Sequence, residues 1–178
     1  MDAAVTTVWG VVRVPSPGAM PEDAPDDLAG LLVVVAGTPP AGDSRVITVP
    51  IDASATAAEA FATAIRRAPP SADAVVWLDT TLPPPGTVAR LAARLGDRDA
   101  VVVATPVNDA VKQVRDGLIV GGVARNGLCR PVGPVLVRAR MGRERLAPAL
   151  DGGNDLFAAL GVAGCAVTVV PPGVLGSV

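Results

Sequence analysis

The chain has no histidine and no tyrosine among its 178 residues, and it has only two tryptophans and two phenylalanines. The absence of histidine excludes the commonest general base, the Ser-His-Asp triad and most catalytic zinc sites. Any catalysis would therefore depend on carboxylates, arginine, the single lysine Lys112, or a metal ion held by oxygen ligands. The scarcity of aromatic side chains also leaves no stacking platform for single-stranded nucleic acid.

Long apolar runs and dense basic runs are also missing. The formal net charge is -2, so we expect no nucleic-acid partner. Proline and glycine interrupt every apolar run before it reaches the about 18 to 20 residues that cross a bilayer, and the start of the chain lacks the basic region of a signal peptide. We therefore predict a cytoplasmic protein without a membrane partner. Cys129 and Cys165 are far apart and have no histidine near them, which favours reduced side chains over a zinc site or a disulfide.

Short β-branched runs alternate with helical segments along the chain. Such continuous apolar runs are typical of strands that are covered on both faces, as in a parallel sheet between two layers of helices. The alternation predicts one α/β domain over residues 1–178, with a doubly wound, mostly parallel sheet. Strands are predicted at 5–14, 32–35, 46–49, 74–78, 100–104 and 166–170, and helices at 57–68, 87–95, 143–150 and 155–163.

One segment departs from this alternation. Residues 111–114 and 118–120 have strand composition, and Asp116-Gly117 between them supplies the positive φ angles of a tight hairpin turn. The pattern predicts a β-hairpin arm at about 108–132, inserted into the parallel domain. An ordinary hairpin at the edge of the sheet is the other interpretation that the pattern leaves open.

Two aspartates stand where ligands bind in open α/β folds. Asp79 directly follows a buried-type strand, so we expect it at the carboxyl edge of the sheet, where a carboxylate can hold Mg²⁺ against phosphate oxygens. A turn residue is the alternative for this position. Asp155 precedes a predicted helix and is either a second metal ligand or the N-cap of that helix.

Three segments together resemble a known family. Residues 76–83 read Val-Trp-Leu-Asp-Thr-Thr-Leu-Pro, residues 104–112 read Ala-Thr-Pro-Val-Asn-Asp-Ala-Val-Lys, and residues 123–128 read Val-Ala-Arg-Asn-Gly-Leu. In order and spacing they resemble the His-Asp-Ala-Ala-Arg-Pro, Pro-Val-x-Asp-Thr-x-Lys and Asp-Arg-x-x-Leu stretches of the methylerythritol phosphate cytidylyltransferases. The resemblance extends from about Leu28 to Gly173.

This resemblance implies a Rossmann-like nucleotidyltransferase fold and the transfer of CMP from CTP to a phosphorylated sugar alcohol, in the isoprenoid precursor pathway. It implies that Asp79 and Asp155 hold Mg²⁺ and that Arg125 and Lys112 are catalytic residues. The partners that it implies are a nucleotide or a phosphorylated small molecule, and a second subunit of a homodimer that the arm contacts.

The chain departs from the family where CTP would bind. The family's Gly-x-Gly-x-Arg loop and the Pro-Lys after it are absent, and Val14 is followed by Pro-Ser-Pro-Gly. Leu82 stands in place of an arginine, and Ala110 and Gly133 stand in place of threonines. Each lost charge-assisted contact to the triphosphate would cost roughly 1.5 to 3 kcal/mol. The sequence therefore predicts a divergent member with weak or lost catalysis, a pseudoenzyme, and the alternative is a non-catalytic dimerising or regulatory module of the same fold.

Overall fold

The computed structural model describes residues 5–14, 24–36, 45–79, 82–108, 111–123 and 128–175. The strands are β1 (Val8–Val14), β2 (Gly30–Ala36), β3 (Val46–Ile51), β4 (Ala74–Asp79), β5 (Ala100–Pro106), β6 (Val111–Arg115), β7 (Leu118–Val123), β8 (Cys129–Arg138) and β9 (Val167–Val170). The helices are α1 (Ala57–Arg67), α2 (Thr87–Leu95), α3 (Ala139–Met141), α4 (Ala147–Asp151) and α5 (Leu156–Val162). A wider helical turn, Gly142–Leu146, joins α3 to α4, and a 3₁₀ turn, Pro172–Leu175, follows β9.

Seven strands form the main sheet in the order β3-β2-β1-β4-β8-β5-β9. Every neighbouring pair is parallel except the two that involve β8, which runs antiparallel to both β4 and β5. The predicted mostly parallel sheet is confirmed. Each predicted strand is present, with bounds that differ by up to three residues.

Strand β8 is a strand that the sequence analysis did not predict. Its first half contains Pro131, Gly133 and Pro134, residue types that usually mark turns and that weaken a strand interior. The structure accommodates them with an irregularity in the pairing with β5, where the register passes from Val135 directly to Pro131. Only the regular second half of β8 also pairs with β4.

Helices cover both faces of the sheet, as predicted. On one face, buried side chains of α1, the Gly142–Leu146 turn and α4 pack against the strands, among them Phe61, Ile65, Leu146 and Leu150. On the other face, α2 contributes Val88, Leu91 and Leu95 to a second core. None of the helices in the described part of the chain is long and apolar enough to cross a membrane.

Strands β6 and β7 form a separate two-stranded sheet, so the predicted hairpin is confirmed. Asp116 and Gly117 adopt φ angles of 51° and 78°, the two positive values that a type I′ hairpin turn requires. Four large apolar side chains on the hairpin are 53 to 69% exposed, namely Val114, Leu118, Ile119 and Val120. Residues 129–132, which the sequence analysis placed in the arm, belong instead to β8 of the main sheet.

Candidate functional site

The order in which strands join the sheet reverses at β1. Strands β2 and β3 lie on one side of β1, and β4 lies on the other. At such a switch point, the carboxyl ends of two neighbouring parallel strands leave a crevice in which open α/β folds bind their ligands. Asp79 is the last residue of β4 and pairs with Val12 of β1. The predicted position of Asp79 at the carboxyl edge of the sheet is therefore confirmed.

A cavity of about 580 Å³ opens beside the carboxyl end of β4. We call it the apolar cavity, because no charged residue lies among the described residues that line it. Its walls come from β4, residues 82–84, the first half of β8 and the start of α5, and they include Trp77, Leu82, Pro83, Pro131, Val132 and Phe157. Its volume lies within the range of small-molecule sites in proteins.

A second cavity of about 380 Å³ adjoins the first. The two share Ala57, Trp77 and Leu156, which form the boundary between them. We call the second one the polar cavity, because Thr56, Glu59, Asn154 and Asp155 are among its lining residues. The two cavities are therefore neighbours whose described walls differ, one without charged residues and one with two acidic residues.

The N-terminus of α1 borders both cavities and is closed by a capping box. The hydroxyl of Thr56 accepts a hydrogen bond from the backbone N–H of Glu59 at 3.2 Å, and the Glu59 carboxylate accepts one from the backbone N–H of Thr56 at 2.7 Å. Hydrogen bonds from the backbone and then from the hydroxyl of Thr56 hold the pKa of Glu59 below its ordinary value. Glu59 is therefore ionised at neutral pH.

The N-terminus of α5 is closed in a similar way. Asp155 Oδ1 accepts hydrogen bonds from the backbone N–H groups of Phe157 and Ala158, each at 2.9 Å. The N-cap interpretation of Asp155 is thus confirmed. A free helix N-terminus attracts anions through its unpaired N–H groups and its dipole. Here, as at α1, a carboxylate of the chain already occupies that position.

Trp77 forms part of the boundary between the two cavities. Its side chain is 8% exposed, and its ring packs on Phe61 with centroids 5.2 Å apart and planes tilted by 49°. The indole Nε1 donates no hydrogen bond to any described residue. Every fully buried side-chain nitrogen or oxygen that the structure describes has a partner, so this nitrogen is not fully buried.

Positive charge is scarce at this edge of the sheet. Neither arginine nor lysine occurs among the described residues that line the two cavities. Arg13 of β1 reaches the same edge, where its guanidinium donates a hydrogen bond to the carbonyl oxygen of Ala55 at 2.9 Å. The sequence analysis missed Arg13, although a single basic residue near the carboxyl end of an apolar strand is a usable signal.

The four predicted site residues do not all fall within the described structure. Asp155 lines the polar cavity, whereas the backbone of Asp79 is described without its side chain. Lys112 is exposed on β6 and lines neither cavity, and Arg125 lies outside the described residues. Their catalytic and metal-binding roles stay predictions.

The described side chains also give no metal centre. No group of three or more histidine, cysteine, aspartate or glutamate residues within the described ranges could hold a metal ion. One oxygen of Asp155 is already engaged by two backbone N–H groups of α5, so the described residues do not fit a Mg²⁺ site by themselves. Cys129 is exposed, Cys165 is partly buried, and neither forms a disulfide in the described structure.

Comparison with solved structures confirms the resemblance at the level of fold. A 4-diphosphocytidyl-2C-methyl-D-erythritol synthase from Anaerococcus prevotii superposes with a TM-score of 0.70 at 13% identity, over 96% of this chain and 90% of that one. The 2-C-methyl-D-erythritol 4-phosphate cytidylyltransferase from Thermus thermophilus gives 0.63 at 20% identity, over 90% and 87%. The one from Francisella tularensis gives 0.65 at 14% identity, over 93% and 90%.

At these identities the likeness shows the fold alone. No family model matches the chain, and no curated protein matches its sequence. The chain therefore has the architecture of these nucleotidyltransferases, over almost its whole length.

Proposed function

We propose that this chain is a single-domain, cytoplasmic, divergent member of the methylerythritol phosphate cytidylyltransferase family in which catalysis is weak or lost. The observation that carries the proposal is the uncharged wall of the apolar cavity. Nucleotidyl transfer depends on cationic groups and oriented dipoles that stabilise the charge on the phosphates. The described residues that line the apolar cavity include no cationic group, and the two helix N-termini beside it are already capped by side chains of the chain.

Two residues of the cavity wall explain its character. Leu82 and Gly133 stand where the family that the sequence resembles has an arginine and a threonine, and both line the apolar cavity. A Cβ at Gly133 would meet Val103 at 3.2 Å, so the irregular stretch of β8 leaves little room to restore a larger side chain. The changes thus remove one charge and one hydroxyl from the space beside Asp79.

The acidic end of the site works against a triphosphate as well. Glu59 and Asp155 each place a carboxylate at a helix N-terminus. A free helix N-terminus would instead help to bind the phosphate groups of a nucleotide. A ligand with about four negative charges would meet these carboxylates with repulsion instead of attraction. We therefore expect CTP affinity far below that of an efficient enzyme.

The second candidate is a slow cytidylyltransferase of the isoprenoid precursor pathway. It would hold Mg²⁺ with Asp79 and Asp155 and use Arg125 and Lys112 on the substrates. The position of Asp79 at the switch point favours this candidate, and the charge distribution around the two cavities disfavours it.

One experiment separates the two candidates. Thermal unfolding is followed with and without millimolar CTP and Mg²⁺, and pyrophosphate release is measured with methylerythritol phosphate as acceptor. A ligand at a hundred times its Kd would add about 2.7 kcal/mol to the stability. Because we expect CTP to bind far too weakly to reach this ratio, we expect no clear shift in Tm and pyrophosphate release at background. The Thermus thermophilus enzyme serves as the positive control. Robust turnover that Asp79→Ala abolishes would establish the slow enzyme instead.

We also propose that the chain forms a homodimer through the hairpin of β6 and β7. Leu118 and Ile119 are 69% and 68% exposed in the single chain, and a two-stranded ribbon is marginally stable in water by itself. A symmetric contact would cover these side chains and the open strand edges of both subunits. The family resemblance implies that in such a pair the arm carries Arg125 toward the site of the second subunit.

The dimer is tested by analytical ultracentrifugation at micromolar concentration. We expect about twice the chain mass for the wild type, and a shift toward monomer for Ile119→Asp, because the interface would bury a charge without a partner. Val162→Asp is the matched control, since Val162 is also 68% exposed but lies on α5. A wild-type chain that stays monomeric would contradict the proposal, as would equal effects of the two variants.

A further inference from the structure

We propose that Asp116 and Gly117, at the turn of the hairpin, are a site of covalent self-modification, where the pair closes to a succinimide that water reopens to aspartate or isoaspartate. The site lies on the hairpin of β6 and β7 and not at the two cavities, so it goes beyond the proposed function. Three features of the turn support it, which are the residue pair, its backbone conformation and its freedom to move.

The first feature is the residue pair. A succinimide forms when the backbone nitrogen that follows an aspartate attacks the side-chain carbon Cγ, and glycine at the next position allows the closest approach because it has no side chain. The sequence contains two Asp-Gly pairs, Asp116-Gly117 and Asp151-Gly152. Both pairs belong to the described structure, so the second is an internal control for the first.

The second feature is the backbone conformation. Asp116 and Gly117 connect Arg115 and Leu118, which form the last pair of the hairpin. Asp116 has a φ angle of 51°, which suits the first central residue of both type I′ and type II′ turns. A flip of the peptide group between the two central residues converts one turn type into the other, and it brings ψ of the first residue to about −120°. In that form the nitrogen of Gly117 faces Cγ of Asp116, as ring closure requires.

The third feature is the freedom of the turn to move. Asp116 and Gly117 are both exposed, and a Cβ at Gly117 would meet no atom within 4 Å. The carboxylate of Asp116 has no hydrogen bond or ion pair with any described residue. A two-stranded ribbon is also marginally stable by itself, so the peptide flip does not have to disturb a packed core.

The pair Asp151-Gly152 lacks this freedom. Asp151 is the last residue of α4, and its carboxylate forms an ion pair with Arg66 of α1. The N–H of Gly152 donates to the carbonyl oxygen of Leu150. Ring closure at Asp151 would break these contacts, so we expect it to be slower than at Asp116 although the two residue pairs are identical.

The reaction needs only water as a co-reactant. The nitrogen of Gly117 attacks Cγ of the protonated Asp116 carboxyl group, an N–Cγ bond forms, and the N–H proton leaves with the carboxyl hydroxyl as one molecule of water. A second molecule of water then opens the ring. Attack at Cγ restores aspartate, whereas attack at the backbone carbonyl carbon gives isoaspartate, in which the main chain runs through Cβ and Cγ and the former backbone carbonyl is a free carboxylate.

Isoaspartate adds one methylene group to the main chain of the turn. In a hairpin, the length and type of the turn fix the register of the two strands. A longer connection therefore no longer fits the pair of Arg115 and Leu118. The modification loosens β6 and β7, whereas the main sheet, to which neither strand belongs, keeps its pairing.

The test follows the incorporation of ¹⁸O while the folded chain is stored in H₂¹⁸O, because each ring opening adds one oxygen atom from water. Digestion in ordinary water with trypsin, which cleaves after Arg115 and Arg125, releases residues 116–125 and separates Asp116 from the Asn126-Gly127 pair. Tandem mass spectrometry reads the label at Asp151 in the same digest. The matched control is the same chain stored in concentrated urea, where both Asp-Gly pairs lose their folded surroundings.

We expect several-fold more label at Asp116 than at Asp151 in the folded chain, and equal label at the two sites in urea. Asp116→Glu should remove the label from residues 116–125 and leave the label at Asp151 unchanged, since glutamate does not form the five-membered ring. Equal label at the two sites of the folded chain, or label at neither, would overturn the proposal. An excess at Asp116 that persists in urea would also overturn it, because the difference would then come from the local sequence and not from the folded turn.

The loosening of the hairpin is tested by hydrogen exchange of the stored chain. Chains that carry isoaspartate at residue 116 should exchange the backbone amides of 111–123 faster than fresh chains, with unchanged exchange in β1 and β2. Unchanged exchange over 111–123 would refute this consequence of the modification. Neither measurement depends on CTP binding or on the cavities, so failure here leaves the proposed function as it stands.

Discussion

Replacement of Asp155 by alanine distinguishes a helix cap from a metal ligand. The carboxylate accepts two backbone hydrogen bonds at 2.9 Å at the start of α5, and the loss of an N-cap side chain costs about 0.5 to 2 kcal/mol. Because both hydrogen bonds are accepted by one exposed carboxylate, we expect the free energy of unfolding to fall by about 1 kcal/mol. For a domain of this size, that corresponds to a fall in Tm of about 2 to 4 °C.

The matched variant is Asp155→Asn, whose amide oxygen can accept the same two bonds. We expect it to stay within about 0.5 kcal/mol of the wild type, because asparagine and aspartate are nearly equivalent N-caps. Both variants and the wild type are compared by urea unfolding with and without Mg²⁺. The reasoning would be refuted if asparagine were as destabilising as alanine and if Mg²⁺ stabilised only the wild type, since that pattern belongs to a metal ligand.

Three further predictions concern stability. Phe61→Ala should lower the free energy of unfolding by about 3 to 5 kcal/mol, because Phe61 is fully buried under Trp77; urea unfolding checks it, and an effect below about 1 kcal/mol would contradict it. Gly10→Ala should cost about 1 to 3 kcal/mol in the same assay, because its Cβ would lie 2.7 Å from Leu28 Cδ1 and 2.8 Å from Leu31 Cδ2. Hydrogen bonds from the backbone of Thr6 and Thr7 lower the pKa of Asp73. The ionised Asp73 therefore stabilises the folded chain above the pKa of the unfolded state, and this stabilisation is lost as pH falls through the folded pKa. Unfolding measured from neutral pH to about pH 3 should therefore show a steeper acid loss for the wild type than for Asp73→Asn, and parallel curves would count against it.

The sequence was sufficient for most of the fold because its strands are buried on both faces. Residues 31–35 of β2 are 0% exposed. A short, uninterrupted apolar run of this kind, bounded by glycine and proline, is typical of a strand that is buried on both faces. Strand β8 was missed for the opposite reason. β8 pairs with strands that do not neighbour it in the sequence. Two prolines and a glycine in its first part indicate a turn, and this signal outweighed the apolar Val135–Val137 segment that follows.

The candidate site was less predictable because its properties arise from packing between distant segments. Asp79 could be placed at the carboxyl edge of the sheet because it directly follows a buried-type strand. The ring contact between Trp77 and Phe61 could not be predicted from the sequence. The same is true of the two capped helix N-termini, of α1 and α5, which line one cavity. The sequence left Asp155 open between a metal ligand and an N-cap, and only the three-dimensional structure shows that Glu59 and Asp155 line the same cavity.

The two ends of the hairpin insertion leave the main sheet side by side. Pro106, the last residue of β5, pairs with Cys129, the first residue of β8, and the N–H of Val107 donates to the carbonyl oxygen of Leu128 at 3.0 Å. The sheet could therefore close across this point with a short turn, and the hairpin is modular in the sense of a removable insert. The length and sequence of the hairpin can then change while the folding of the main-sheet domain is left intact.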